Sequence, residues 1–245
     1  MSDLQAAILA AVVAAVLGYL SPWVVRRLPE PPEKPEEEKS RHEIDEGPKP
    51  TYVDVGRLSW FGPVALVVSG VAAGLVAWHV GCSWLLVGLT PLVPVVVALS
   101  IVDLRTRMLP AVVVLPTTWV ALALVVLHAG LVASWSDLQR GVVAMVVGYV
   151  FYFVLWFVYP VGLGYGDVRL SAVLALTLGY LGWSTFLVGM YSGFLLLGVP
   201  GLVLAVVRRK ASYLKAQFPF GPFMCAGALV GILWGPTLLS GLATG

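Results

Sequence analysis

Residues 111–132, AVVVLPTTWVALALVVLHAGLV, contain no Asp, Glu, Lys or Arg. A run this long and apolar can cross the hydrocarbon core of a bilayer, which takes roughly 17–25 helical residues. Working outward, similar runs lie near 3–23, 60–80, 83–101, 139–159, 168–183, 184–207 and 221–242. That makes eight predicted spans, the sixth and seventh parted only by Gly179, Gly182 and Trp183. With 59% hydrophobic and 11% charged residues and a mean hydropathy of +0.92, the chain is too apolar for a soluble domain. The expected fold is all-α, a polytopic membrane helix bundle.

The first run is expected to be a retained span rather than a secretory signal. It has no basic segment before it, and Arg26 and Arg27 follow it. Residues 24–59 (LPEPPEKPEEEKSRHEIDEGPKP and its flanks) are so rich in Pro, Glu and Lys that they should form a hydrophilic loop without a core. The chain thus divides into a first transmembrane helix (1–23), a flexible loop (24–59) and a membrane domain (60–245). Alternate connections differ in charge: 24–59, 102–110, 160–169 and 208–220 hold 14 of the 15 basic residues, and Arg140 alone falls on the other side. The positive-inside rule then places both termini outside.

The net charge of +2 carries little information beside this placement. The two cysteines, Cys82 and Cys225, cannot build a disulfide framework or a Cys-rich zinc site. Both lie in apolar runs and are expected to be buried packing residues. Tryptophans 23, 60, 135 and 183 fall near span ends, as interfacial anchors do. The GxxxG spacings at Gly70/Gly74, Gly189/Gly193 and Gly227/Gly231 allow close helix contact, expected within the chain.

Beyond residue 54 the acidic residues are Asp103, Asp137 and Asp167. A carboxylate at a bilayer is costly enough to point to function. Asp137, in ASWSDLQR, is expected to cap the following helix on the outer side. Asp103 ends the third run in VDLRTRMLP; Asp167 follows Gly162, Gly164 and Gly166 in VGLGYGDVRL, and both lie at inner membrane edges. Two carboxylates within mutual reach do not both ionise easily, so one becomes a base and the other keeps its proton, as water activation for peptide hydrolysis requires. The glycines would let the backbone take φ > 0 and let an extended substrate approach. On the residues alone, both aspartates could equally cap helices or pair with Arg105 or Arg169.

The ordered motifs narrow the choice. GYGD at 164–167 resembles the GxGD signature of the type IV prepilin peptidases, a family of membrane aspartic proteases. Asp103 followed by Leu109 and Pro110 resembles the segment of the family's first catalytic aspartate, and Pro219, Phe220, Gly221 and Pro222 resemble its PFGP segment, otherwise a Pro/Gly helix start. The likeness covers about residues 60–242 and implies a catalytic pair, Asp103 and Asp167, with Gly164, Tyr165 and Gly166 shaping an active-site loop. It implies a multi-pass protein of a prokaryotic cytoplasmic membrane that acts at the cytoplasmic face. The implied substrate is a prepilin or pseudopilin with a basic leader and an apolar N-terminal helix, in type IV pilus or protein-secretion systems. Many members also carry two CxxC pairs and N-methylate the new terminus with S-adenosylmethionine. Residues 24–59 contain no cysteine, so neither zinc nor a methyltransferase cofactor is expected, and the mechanism calls for no metal.

His42, His79 and His128 are scattered; no HExxH motif or serine nucleophile context offers other protease chemistry. The alternative from another class is a proton- or cation-coupled transporter using the same carboxylates. It would need a polar path and an inverted repeat, and neither is evident. The expected partners are substrate and lipid, not nucleic acid.

Overall fold

The computed structural model describes residues 2–30, 49–158, 160, 162–208 and 219–243. The predicted loop residues 31–48 lie outside this set. Helices run over α1 Asp3–Val25, α2 Tyr52–Gly56, α3 Phe61–Val80, α4 Trp84–Thr106, α5 Ala111–Val132, α6 Trp135–Val158, α7 Tyr165–Leu181, α8 Trp183–Arg208 and α9 Gly221–Ala243. The eight long helices fall where the apolar runs place them. Among the described residues, six are long and apolar enough to cross a membrane. The chain is an integral membrane protein with an all-α bundle. The predicted spans end short at the site: α4 continues through Asp103, and α7 starts two residues before Asp167.

Local chemistry sets the helix ends. Ser2 Oγ accepts from the Gln5 N–H at 3.3 Å while the Ser2 N–H donates to Gln5 Oε1 at 2.9 Å, a capping box that opens α1. Thr51 and Asp54 repeat the device at α2, within the predicted 24–59 loop. Tyr52 and Val55 of α2 are buried, and the short helix packs on α1 and α4.

α4 and α7 are the inner elements. α7 buries residues around most of its circumference, including Leu170, Leu174, Leu176 and Leu178, the pattern of a helix enclosed by others. α4 packs on α1, α3, α5 and α9, and α7 on α5, α6, α8 and α9. Outward faces of α1, α5 and α6 carry exposed Ile8, Trp119 and Phe151, the apolar surface lipid requires. The GxxxG pairs serve packing inside the chain. A Cβ on Gly70 would come within 3.1 Å of Ala15 Cβ on α1, and one on Gly227 or Gly231 would enter the backbone of Gly193 or Gly189.

Helix alternation gives the bundle two ends. At one lie the start of α1 and the turns after α3, α5 and α7. There His128 Nδ1 and Ser134 Oγ both meet the Tyr180 hydroxyl, at 2.6 and 2.9 Å. Arg140 donates to the terminal carbonyls of α7, Gly179 O at 2.7 Å and Tyr180 O at 2.6 Å, and this accounts for a basic residue on the less basic side. Two expectations are corrected here. Asp137 sits in the first turn of α6 rather than capping it, and pairs with Arg140 at 3.0 Å. Cys82 is exposed rather than buried, because its apolar run breaks in the α3–α4 turn, where its N–H donates to Asp3 Oδ1 at 2.9 Å. At the opposite end lie α2, the start of α9, both candidate aspartates and Arg26, Arg27, Arg57, Arg105, Arg107 and Arg169.

Candidate active site

Asp103 occupies the last turn of α4 and is 4% exposed; Asp167 occupies the first turn of α7 and is 6% exposed. Although far apart in the chain, they line one cavity of about 500 Å³ together with Leu109, Pro110 and the Gly164–Gly166 segment. They lie within electrostatic reach of each other.

The turn that follows Asp103 is built by sequence chemistry. Arg107 adopts a left-handed backbone (φ 53°) and its N–H donates to Asp103 O at 2.8 Å, closing α4. Buried Thr106 accepts the Met108 N–H at 3.1 Å. This folds Leu109 back against α7, and Pro110, with φ fixed at −67°, opens α5. The contact is tight: a Cβ on Gly166 would lie 2.7 Å from Leu109 Cβ. Glycine at 166 is therefore demanded by close approach.

Gly164 plays a different part from the one expected. Its φ is −74°, and among the described glycines only Gly81 and Gly182 have positive φ, so the motif does not depend on left-handed backbone. The Gly164 N–H instead donates to Asp167 Oδ2 at 3.2 Å, and the Asp167 N–H donates back to Gly164 O at 3.0 Å. A mutual cap of this kind fixes both the helix start and the carboxylate. Asp167 Oδ1 is buried and has no hydrogen-bond partner among the described residues.

The third motif contributes a matching bond. The Gly221 N–H, at the first position of α9, donates to Asp103 Oδ2 at 3.1 Å, and a Cβ there would come within 2.9 Å of that oxygen. Pro222 is the second residue of α9, Pro219 precedes it in half-buried connecting chain, and Phe220 is buried against Phe194 and Tyr152. Helix start and site component are thus the same residues.

The two arginines offered as partners are engaged elsewhere. Arg105 lies over the Trp60 ring at 4.9 Å and Arg169 over Tyr165 at 4.6 Å. The Tyr165 hydroxyl also meets Tyr149 at 3.2 Å, so the middle residue of GYGD braces α7 on α6. Three residues escaped sequence reading. Thr106 shapes the Asp103 turn; Tyr52 of α2 lines the cavity, its phenol pushed up to about 12 by burial and then by Glu30 and Asp103; Tyr152 is discussed below. A hydroxyl inside DLRTRMLP could have signalled Thr106, whereas the tyrosines gain meaning only from packing.

Part of the chain resembles known proteins. Residues 91–206 match the Type IV leader peptidase family. A prepilin leader peptidase/N-methyltransferase of Stutzerimonas stutzeri is 34% identical over 183 residues, 71% of this chain and 58% of that protein. The protein of that name from Neisseria gonorrhoeae is 34% identical over 165 residues, 65% of this chain and 53% of its own. The one from Pseudomonas aeruginosa is 29% identical over 178 residues, 71% and 58% of the two chains. This chain therefore spans little more than half the length of the curated relatives it matches. No solved structure matches it. The match to the type IV leader peptidase family, residues 91–206, includes Asp103, the Leu109–Pro110 turn and the GYGD helix start.

Proposed function

We propose that the protein is a membrane-embedded aspartic endopeptidase that removes the leader of a prepilin or pseudopilin, with Asp103 and Asp167 as its catalytic pair. The observation that carries this is the shared cavity: both carboxylates line it, and each has one oxygen held by a glycine N–H. One carboxylate takes a proton from water as the water oxygen attacks the scissile carbonyl carbon; the other, protonated, donates to the carbonyl oxygen. The same two groups then return the proton to the leaving amine.

The cavity opens at the arginine-bearing end of the bundle, and the positive-inside rule makes that end cytoplasmic in a prokaryotic inner membrane. The leader enters there while the substrate's apolar helix stays in lipid against the enzyme's outer faces. The proposal is limited to cleavage. The cavity is walled by two aspartates, a helix start and a Leu-Pro turn, a set suited to a peptide backbone; no methyl-transfer step, methyl donor or zinc ion is assigned to it.

The test is co-expression with a leader-bearing prepilin, followed by its size on a gel. The wild-type chain should shorten it, and Asp103→Asn and Asp167→Asn should each slow processing by at least ~10²-fold, the usual share of acid–base catalysis. Normal processing by either variant would refute the assignment. An uncut prepilin with the wild-type chain would refute the activity.

A further inference from the structure

The polar atoms around the aspartate pair can be accounted for almost completely. Asp103 Oδ2 accepts from Gly221 and Asp167 Oδ2 from Gly164. Cys225, on α9 one turn beyond Gly221, lies near Ser100, whose hydroxyl donates to Val96 O at 2.8 Å. Two buried oxygens near the pair remain without a partner among the described residues, Asp167 Oδ1 and the Tyr152 hydroxyl. The third such atom, Ser69 Oγ, belongs to α3 and faces Gly18 of α1.

Helix packing explains why Tyr152 and Asp167 meet. α6 and α7 run antiparallel in close contact. A Cβ on Gly141 would lie 3.2 Å from Leu176 O, and one on Gly148 would lie 2.7 Å from Ala175 Cβ. One turn beyond Gly148, Tyr152 faces the opening turns of α7, where Asp167 sits. Its ring is fully enclosed, stacked on Phe194 at 5.4 Å and tilted against Phe220 at 6.0 Å. Phe220 immediately precedes the glycine that holds Asp103. The ring therefore has one seat, and from it the hydroxyl lies within electrostatic reach of Asp167. A lipid-facing or purely packing position would be served by Phe, as at Phe194 and Phe220. A hydroxyl buried here needs a partner.

We infer that Tyr152 is a positioning residue for Asp167, its hydroxyl joined to Asp167 Oδ1 through one buried water. The phenol donates to the water, and the water donates to the carboxylate. The chain runs in this direction when Asp167 is ionised, because an ionised carboxylate only accepts and the phenol, which can do either, is then the donor. Such a donor favours the ionised form of Asp167, the form that a base requires, and suits Asp103 to the part of the acid. This inference rests on the proposed peptidase reading for its catalytic consequence, but the hydrogen-bonded chain itself does not.

The experiment uses the full-length chain in detergent or nanodiscs. Dicyclohexylcarbodiimide modifies protonated carboxyls in apolar surroundings, and mass spectrometry of the Asp167 peptide against pH reads protonation without any turnover. Asp103, Arg107, Tyr52 and Glu30 line the cavity with Asp167, Cys225 lies within electrostatic reach of it, and Tyr165 and Arg169 share its helix; all are unchanged in Tyr152→Phe, so a difference reports the hydroxyl. Losing a donor to the ionised form favours the protonated form. The midpoint of labelling should move up by ~1 pH unit in Tyr152→Phe, and the acidic limb of kcat/KM for prepilin cleavage should move with it, kcat falling about tenfold with KM little changed. Replacing Tyr152 by 3-fluorotyrosine, a stronger donor of nearly the same shape, should move both midpoints down, and it covers the case in which Tyr152→Phe fails to fold. Midpoints unmoved in either variant would overturn the inference. Loss of cleavage by the wild-type chain, with the labelling shift intact, would instead refute only the peptidase reading.

Discussion

Gly166→Ala offers the sharpest check on how the GxGD segment works. The added Cβ would stand 2.7 Å from Leu109 Cβ, against an optimal carbon separation of ≈ 3.5–4.0 Å. Both atoms are bonded directly to the backbone, so no rotamer change relieves the overlap and the main chain must move by roughly 1 Å. Overpacking of this kind costs ~1–3 kcal/mol in stability. The larger effect falls on chemistry, because the displaced segments carry Asp167 one residue on and Asp103 six residues back. A misplacement of ~1 Å can cost ~10² in rate. The expected outcome is prepilin cleavage slowed about a hundredfold, measured by gel densitometry on purified chain, with KM changed much less than kcat. Leu109→Gly removes the opposing Cβ, so the double variant Gly166→Ala/Leu109→Gly should recover part of the loss, whereas Leu109→Ala, which keeps that Cβ, should not. Full activity in Gly166→Ala alone, or equal rescue by both Leu109 variants, would show that the Gly166–Leu109 approach does not set the position of the aspartates.

Other outcomes follow from single contacts. Gly221→Ala should weaken the Gly221 N–H bond to Asp103 by placing a Cβ 2.9 Å from Oδ2. Hydrogen bonds to charged groups are worth ≈ 1.5–3 kcal/mol, so cleavage should slow at least about tenfold and the melting temperature, followed by intrinsic fluorescence, should fall with it. Thr106→Val leaves the Met108 N–H without its acceptor and should lower stability by ~1–3 kcal/mol, with a smaller effect on KM than on the melting temperature. Arg140→Gln removes two charged donors from the end of α7; at the end of the bundle away from the aspartates, it should lower the melting temperature and leave kcat within about twofold. Gly130→Ala meets open space and should process prepilin normally; impaired processing would mean that this face of α5 takes part in cleavage.

The bundle was legible because the bilayer leaves few options. A run such as 111–132 can satisfy its backbone only by helix formation, and its observed bounds, Ala111–Val132, coincide with the reading. Boundaries failed where polar residues lie inside helices: Asp103 and Asp167 look like interruptions in a hydropathy scan, yet both sit within the terminal turns of α4 and α7, held there by caps rather than by apolar burial. The same reason explains Asp137, whose helix begins earlier at Trp135. In the site, sequence identified which residues come together but mistook why. Gly164 and Gly166 suggested an unusual backbone, and φ at Gly164 is ordinary; the demand is steric at one glycine and for an N–H donor at the other. Tyr52 and Tyr152 were out of reach, because a tyrosine carries no mark in the sequence of what its hydroxyl will face, whereas the hydroxyl of Thr106 inside DLRTRMLP could have been read.

The two halves of the site share one construction, and it suggests why the motifs occur in this form. Each aspartate presents one oxygen to a glycine N–H at a helix start, Gly164 at the head of α7 and Gly221 at the head of α9. A free N–H at such a position is one the helix cannot itself satisfy, and the helix dipole favours negative charge there. Burying two carboxylates at a membrane edge is costly in proportion to how poorly the charged form is solvated. A backbone donor on each offsets part of that cost, beside the one guanidinium among the described cavity residues next to Asp103, that of Arg107. One oxygen of each acid is thereby fixed and the other left for proton transfer. A second cation introduced on the buried side of the pair, away from Arg107, for example Ser100→Lys, should therefore preserve or raise folding stability relative to Ser100→Leu yet abolish cleavage; cleavage that survives this added buried charge would refute the idea that the pair works by sharing one proton.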